Sequence, residues 1–399
     1  MKDILEGIRV ADFSRVWAGP YCSMMLAELG AEVIKIETPA GGDETRVWPP
    51  FYKEKSGYFM SFNRSKKSMT LNLKEPEGLA IAHKLIAKCD VLLENFTPGV
   101  TERLGIDYPT LSKVSPDLVY CSVSAFGRTG PWGNRRGYDP ILQAMSGIMS
   151  LTGEPDRPPV RVGVATADLA GGMFAAFSIM AALLHRERKA GDGPRGQHID
   201  ISMLDSQISF LAVKAFEYLH EGRLPRRWGS GDPQRVPSSG YLTQDGAYIM
   251  IIASDAHWPG FCRAVEREDL VDDGRFDTTR KRVDNRKVLE PILVGRLLKR
   301  PGAEWIERFE EAGVPCAPIQ TLDQVFSHPQ VLARETVKEV PHLDIGTLRA
   351  IDWPYKFSET PTRIRSVPPE LGVHTKEVLT MLLGYSGKEV EAFRREGVI

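Results

Sequence analysis

Asp168 stands in Gly163-Val164-Ala165-Thr166-Ala167-Asp168-Leu169-Ala170-Gly171-Gly172, at the head of a run of small and apolar residues. An aspartate in that place reads as a helix N-cap. The place also suits chemistry, because the first N–H groups of a helix favour negative charge and, facing a cleft, can hold a developing oxyanion. The carboxylate itself can serve as a covalent nucleophile. Ala167, Ala170, Gly171 and Gly172 leave room beside it for a bulky substrate.

Other site chemistries lack their spelling. The first strand-to-helix turn, Ser14-Arg15-Val16-Trp17-Ala18-Gly19-Pro20, has one glycine where a dinucleotide fingerprint needs three, and Trp17 would crowd a pyrophosphate. Glu37 ends the second strand as a ribose-binding acid would, but without the glycines a NAD dehydrogenase is not expected. There is no P-loop and no Gly-x-Ser-x-Gly elbow. None of the eight histidines has metal-ligand spacing, so no metal is expected. The five cysteines (22, 89, 121, 262 and 316) form no C-x-x-C pair and read as buried thiols in a reducing compartment.

A net charge of −1 argues against wholesale nucleic-acid binding. It leaves room for local basic runs, Arg64-Ser65-Lys66-Lys67 and Arg135-Arg136, to meet phosphates. The N-terminus carries no signal-peptide apolar region. Residues 169–184 are rich in Gly and Ala and read as a buried core helix rather than a membrane span. A soluble, cytoplasmic protein with neither nucleic-acid nor membrane partners is expected.

The elements that must position Asp168 alternate. Residues 7–13 read as a strand, 21–29 as a helix and 31–37 as a second strand, a βαβ unit with parallel pairing. Strand patterns follow at 68–73, 90–94, 118–124 and 197–202, and helix patterns at 75–88, 108–114 and 168–188, with a Gly-rich turn at 190–196. This outlines an α/β doubly wound domain. After 223 the rhythm changes: 224–239 reads as linker, 240–253 as a hairpin turning at 244–246, and 257–265, 280–299 and 303–312 as helices. That is a smaller α+β domain. A strand patch at 344–351 and helices at 375–383 and 387–396 end the chain.

Several stretches together carry a resemblance. Residues 8–37, Gly42-Asp43-Glu44-Thr45-Arg46, residues 62–68, Glu94-Asn95-Phe96-Thr97-Pro98-Gly99, Gly137-Tyr138-Asp139, Asp168-Leu169-Ala170-Gly171-Gly172, residues 312–318 and residues 372–379 resemble signatures of the class III CoA-transferases, the CaiB/BaiF family. The resemblance spans nearly the whole chain. It implies a Rossmann-like large domain from residues 1–223 and 326–399, a small α+β domain from 224–325, and two such chains interlocked as a homodimer.

It also implies a mechanism. Asp168 would attack an acyl-CoA thioester, forming an aspartyl anhydride and then an aspartyl-CoA thioester that yields CoA to a carboxylic acid acceptor. No tightly bound cofactor is implied; the CoA thioester is substrate. Contacts to CoA carry over to Val16, Leu71, Lys74, Asn95, Phe96, Arg103, Arg136 and Tyr138. Arg136 stands where formyl-CoA transferase has a lysine. Trp17 replaces that enzyme's catalytic-loop glutamine, so formate–oxalate exchange is not implied, and Trp228-Gly229-Ser230-Gly231 is a partial stand-in for its tetraglycine lid. Arg46 sits in a pattern similar to that of succinate- and glutarate-handling transferases, which points to a dicarboxylate with succinyl-CoA as donor. Two alternatives stay open. One is an acyl-CoA racemase, whose Gly-His-Asp motif reads Gly137-Tyr138-Asp139 here; tyrosine is a poor proton carrier at neutral pH. The other is an inactive CoA-binding partner subunit.

Overall fold

A computed structural model describes residues 3–189 and 195–399, so most of the turn expected at 190–196 lies outside the described residues. The chain divides into two compact units. The larger comprises residues 1–148, 161–216 and 335–399, and the smaller 149–160 and 217–334. The sequence sets the break points at 223 and 325; the compact units divide at 216 and 334, and the Pro-rich segment 149–160, not expected as a boundary, joins the smaller unit.

In the larger unit the elements run β1 (Arg9–Asp12), α1 (Ala18–Glu28), β2 (Glu32–Glu37), β3 (Lys67–Thr70), α2 (Pro76–Ile86), β4 (Val91–Glu94), β5 (Val119–Ser124), α3 (Asp139–Met145), α4 (Thr166–Arg188), β6 (Gln197–Ser202) and α5 (Met203–Ser209); α6 (Ala212–Glu221) begins there. The six strands form one sheet in the order β3-β2-β1-β4-β5-β6, and every pair is parallel. β4 and β5 are buried at every position, which is why their apolar residues fall on both faces rather than alternating with exposed polar ones.

Alternate residues of each strand serve opposite faces. Val10, Leu93, Val119 and Cys121 pack with Cys22 and Leu26 of α1 and Ile179 of α4. Ala11, Leu92 and Tyr120 pack with Ile81 and Leu85 of α2 and with Leu379 and Phe393 from the end of the chain. Truncating any of the fully buried leucines to alanine costs about 2–5 kcal/mol, so these positions are core and not site. α1 begins at Ala18, three residues before the sequence reading starts its helix. α4 meets α1 through glycine: a Cβ on Gly172 would lie 2.6 Å from the Ala18 carbonyl oxygen and 3.0 Å from the Tyr21 ring. Among the described residues α4 is long and apolar enough to cross a membrane, yet half of its most apolar window is buried inside the protein.

The smaller unit holds an antiparallel hairpin, Ser238–Leu242 with Tyr248–Ile252, and a third strand, Cys316–Pro318. Gly246 in its turn has φ +80. Helices Trp258–Ala264 and Gly302–Glu311 cover it with stacked rings of Trp258, Phe261, Phe309 and Trp305. The helix expected over 280–299 is two, Thr279–Asp284 and Arg286–Leu297, because Asn285 closes the first turn run. The last segment of the larger unit adds a hairpin, Val337–His342 with Gly346–Ile351, of which the sequence shows only the second strand. Helix Gly387–Arg395 starts on a capping box between Ser386 and Glu389.

Candidate active site

In open parallel sheets ligands sit past the carboxyl ends of the strands, where the strand order reverses. Here that point lies between β1 and β4. The segment after β1 gives Arg15, Val16 and Trp17 to a cavity of about 360 Å³, and the segment after β4 gives Asn95, Phe96, Thr97 and Pro98. Asp168 completes the wall from the first turn of α4, with Arg136 and Tyr138 on the rim. Every lining residue belongs to the larger unit.

The β1 segment is fixed before any ligand arrives. Asn95 accepts from the Arg15 N–H at 2.8 Å and donates to the Arg15 carbonyl at 2.7 Å. Lys35 donates to the Ser14 carbonyl at 2.8 Å and pairs with Asp43 at 2.9 Å, both side chains fully buried. Asp43 in turn accepts weakly from the Val16 N–H, at 3.3 Å. Burial opposes the Asp43 charge, but Lys35 and the Thr45 hydrogen bonds hold its carboxyl well below the usual range. Between these anchors Val16 adopts φ +68, a left-handed conformation costly for a β-branched residue. Strain of this kind persists only where the surroundings over-determine it.

Trp17 sits with its ring 4.8 Å from Phe62 and 5.4 Å from Tyr58. Its Nε1–H is buried with no partner. Trp17 thus presents a ring held by two aromatic neighbours to one wall of the cavity.

Asp168 is partly buried, and its pKa is pushed up to about 7, first by burial and then by the charge of Asp139. α4 has no capping side chain at its own N-cap, Ala165. Asp139 supplies the cap from α3, accepting the Ala167 N–H at 2.7 Å. A near-neutral carboxyl is a stronger nucleophile than an ordinary aspartate once ionised, and a strongly perturbed group in a cleft marks a candidate site.

Of the residues expected from the sequence, the cavity brings together Asp168, Val16, Trp17, Asn95, Phe96, Arg136 and Tyr138. It leaves out four. The Leu71 side chain is buried in the core beside α2. Lys74 is exposed on the surface beyond β3. Arg103 lines a separate, shallow cavity with His83 and Glu102. Arg46 is committed elsewhere: Nε and Nη2 grip the Glu37 carboxylate at 2.8 and 2.7 Å, Nη1 donates to the Pro369 carbonyl at 3.1 Å, and its guanidinium lies 3.7 Å from the Phe59 ring centre. That pairing also occupies Glu37, the acid that mimics a ribose ligand. Arg135, expected from the sequence as part of a basic run able to meet phosphates, also lines the cavity, as do Arg15 and Glu44, for which no role was expected; nor was one for Gln143, which donates to Asp139 at 2.7 Å. For Gln143 the signal was present, since Asp and Gln four residues apart share a helix face.

Among the described residues no cluster of His, Cys, Asp or Glu could hold a metal. The pattern of CoA-transferase family III matches residues 5–375. The chain is 40% identical to the succinyl-CoA:glutarate CoA-transferase of Mus musculus over 99% of this chain and 90% of that one. It is 38% identical to a succinate–glutarate CoA-transferase of Agrobacterium fabrum, over 96% of each. The crystal structure of a CaiB/BaiF family protein from Brucella suis superposes with a TM-score of 0.85 at 35% identity, covering 96% of this chain and all of that one. With a doubly wound sheet, a cleft at its switch point and this breadth of similarity, the chain belongs to CoA-transferase family III.

Proposed function

We propose that this transferase moves CoA from succinyl-CoA to a dicarboxylic acid, with Asp168 as the nucleophile. The observation that carries the proposal is the Asp168 carboxyl itself, half-desolvated at the head of α4 and walled by the two segments that flank the switch point. An ionised Asp168 oxygen attacks the thioester carbonyl; the C–S bond breaks and CoA thiolate leaves, giving a mixed anhydride. The thiolate attacks the aspartyl carbonyl and releases succinate, leaving an aspartyl-CoA thioester. The acceptor carboxylate then attacks that thioester carbonyl and expels the thiolate, which takes the acyl group from the new anhydride and frees Asp168. Both intermediates are as activated as the substrate, and both are lost if water enters. The Trp17 wall serves that exclusion.

Val16, Asn95, Phe96, Arg136 and Tyr138 form the proposed CoA contacts. Since Arg46 is tied to Glu37, the distal carboxylate falls to the cavity guanidiniums, Arg15, Arg135 or Arg136. Support for the diacid comes from the two glutarate-transferring relatives. A cytoplasmic homodimer completes the reading. Support for the dimer comes from the exposed large apolar side chains on or beside α4 to α6, namely Met173, Phe174, Phe177, Phe210, Val213 and Phe216, of the kind that association covers.

The test is an acceptor screen with succinyl-CoA read by mass spectrometry. Transfer to at least one C4–C6 diacid is expected. Transfer to monocarboxylates alone would refute the diacid reading. Hydroxylamine trapping during turnover, with the adduct on Asp168, tests the nucleophile. Light scattering gives the mass of the assembly.

A further inference from the structure

The helix that carries Asp168 does not cap itself. Its N-terminal approach is held instead by two side chains of α3. Asp139 accepts the Ala167 N–H through one oxygen and Gln143 Nε2–H through the other, each at 2.7 Å. Gln143 donates also to the Val164 carbonyl at 3.1 Å and accepts the Val162 N–H at 2.9 Å. Asp139 is 5% exposed and Gln143 is fully buried. One amide therefore spans residues 162–164 while a charge grips residue 167, and the nucleophile is the next residue.

Resting on Asp168 as nucleophile, we infer that Asp139 and Gln143 are positioning residues for this reaction: the pair sets where the Asp168 carboxyl stands and how its charge is poised. Two effects are combined. The hydrogen bonds fix the backbone on either side of the turn into α4, and misplacement by about 1 Å costs on the order of 10²-fold in rate. The Asp139 charge opposes a second negative charge close by. The cavity wall also presents Arg15, Glu44, Arg135, Arg136 and Tyr138. The elements packed on α4 bring Tyr21, Cys22, Cys121, His198, Asp200 and Asp205. α1 and β5 bring Glu28 and Tyr120 as well, and α3 brings Asp139, the charge that adds to burial in raising the Asp168 pKa.

The experiment compares full-length wild type, Asp139→Asn and Gln143→Leu in kcat, KM for succinyl-CoA, pH profile and hydroxylamine trapping. Wild-type kcat/KM should rise with pH as Asp168 ionises. In Asp139→Asn that acidic limb should move to lower pH by about one unit. In Gln143→Leu, kcat should fall about 10- to 100-fold with KM changed less than about threefold. A limb that stays in place in Asp139→Asn, with wild-type protein still trapped at Asp168, overturns the inference and leaves the nucleophile intact. Equal losses in kcat and thermal stability for Gln143→Leu, with the acidic limb unmoved in both variants, also overturn it by marking the pair as merely structural. Absence of trapping in the wild type refutes the nucleophile itself.

Discussion

Arg46 and Glu37 close on each other through two parallel hydrogen bonds of 2.8 and 2.7 Å, with the Glu37 side chain 1% exposed. A guanidinium held in that way is part of the framework and not a free fork for substrate. Arg46→Ala is therefore expected to lower stability by about 3 kcal/mol, since it removes the guanidinium from a buried carboxylate that keeps only the Ser68 hydroxyl, the Asp43 N–H and the nearby Lys35 charge. Adding Glu37→Gln should recover part of the loss. Chemical denaturation measures both. The preference for diacids over monoacids should stay unchanged in Arg46→Ala; its collapse would return Arg46 to the substrate site.

Asp168→Asn should lower kcat on the order of 10³-fold or more. Its effect on stability runs the other way. The folded carboxyl titrates at about 7 and the unfolded one near 3.8, so between those values the native state holds the extra proton. This carboxyl's contribution therefore becomes destabilising as pH rises through that window. Thermal melts of Asp168→Asn should match wild type near pH 4 and exceed it at pH 8.

Val16→Gly is expected to leave stability within about 0.5 kcal/mol of wild type. Relief of about 1–2 kcal/mol of left-handed strain offsets about 1 kcal/mol of added chain entropy in the unfolded state. The looser segment should raise KM for acyl-CoA severalfold. A large loss of stability would show that the Val16 side chain, and not its backbone, matters at this place.

Gly172→Ala and Gly171→Ala form a matched pair. The added methyl at 172 meets backbone, the Ala18 oxygen at 2.6 Å, whereas at 171 it meets the flexible Met203 side chain at 2.8 Å. The first should cost about 2–3 kcal/mol and most of the activity, the second less than about 1 kcal/mol. Gly163→Ala, with nothing within 4 Å, serves as the silent control in the same melting assay.

Much of the fold was readable because it rests on local signals. The short, mostly apolar runs of β4 and β5 fit strands buried on both faces because they are brief and set between helix patterns, and Gly246 marks its own turn. The site was less readable. Asp168 stood out through its small neighbours, but Val16 and Asn95 came from resemblance, because Asn95 grips Arg15 across eighty residues of chain. The pairing of Arg46 with Glu37 was not readable because a free and a paired guanidinium have the same spelling. The inward side chain of Leu71 was not readable because a strand end beside a cleft can face either way. Asp139 and Gln143 showed the right spacing, yet their shared client, the turn at 162–167, lies beyond any helical period.

The backbone contact between Gly172 and Ala18 leaves no slack between the helix that starts beside Trp17 and the helix that bears Asp168. The two behave as a single machined part, and sliding one to widen the pocket would unseat the other. Anyone wishing to admit larger acids should therefore whittle Tyr58, which packs on Trp17 and Trp48, and spare Phe62, which also packs on Tyr21 at the helix joint.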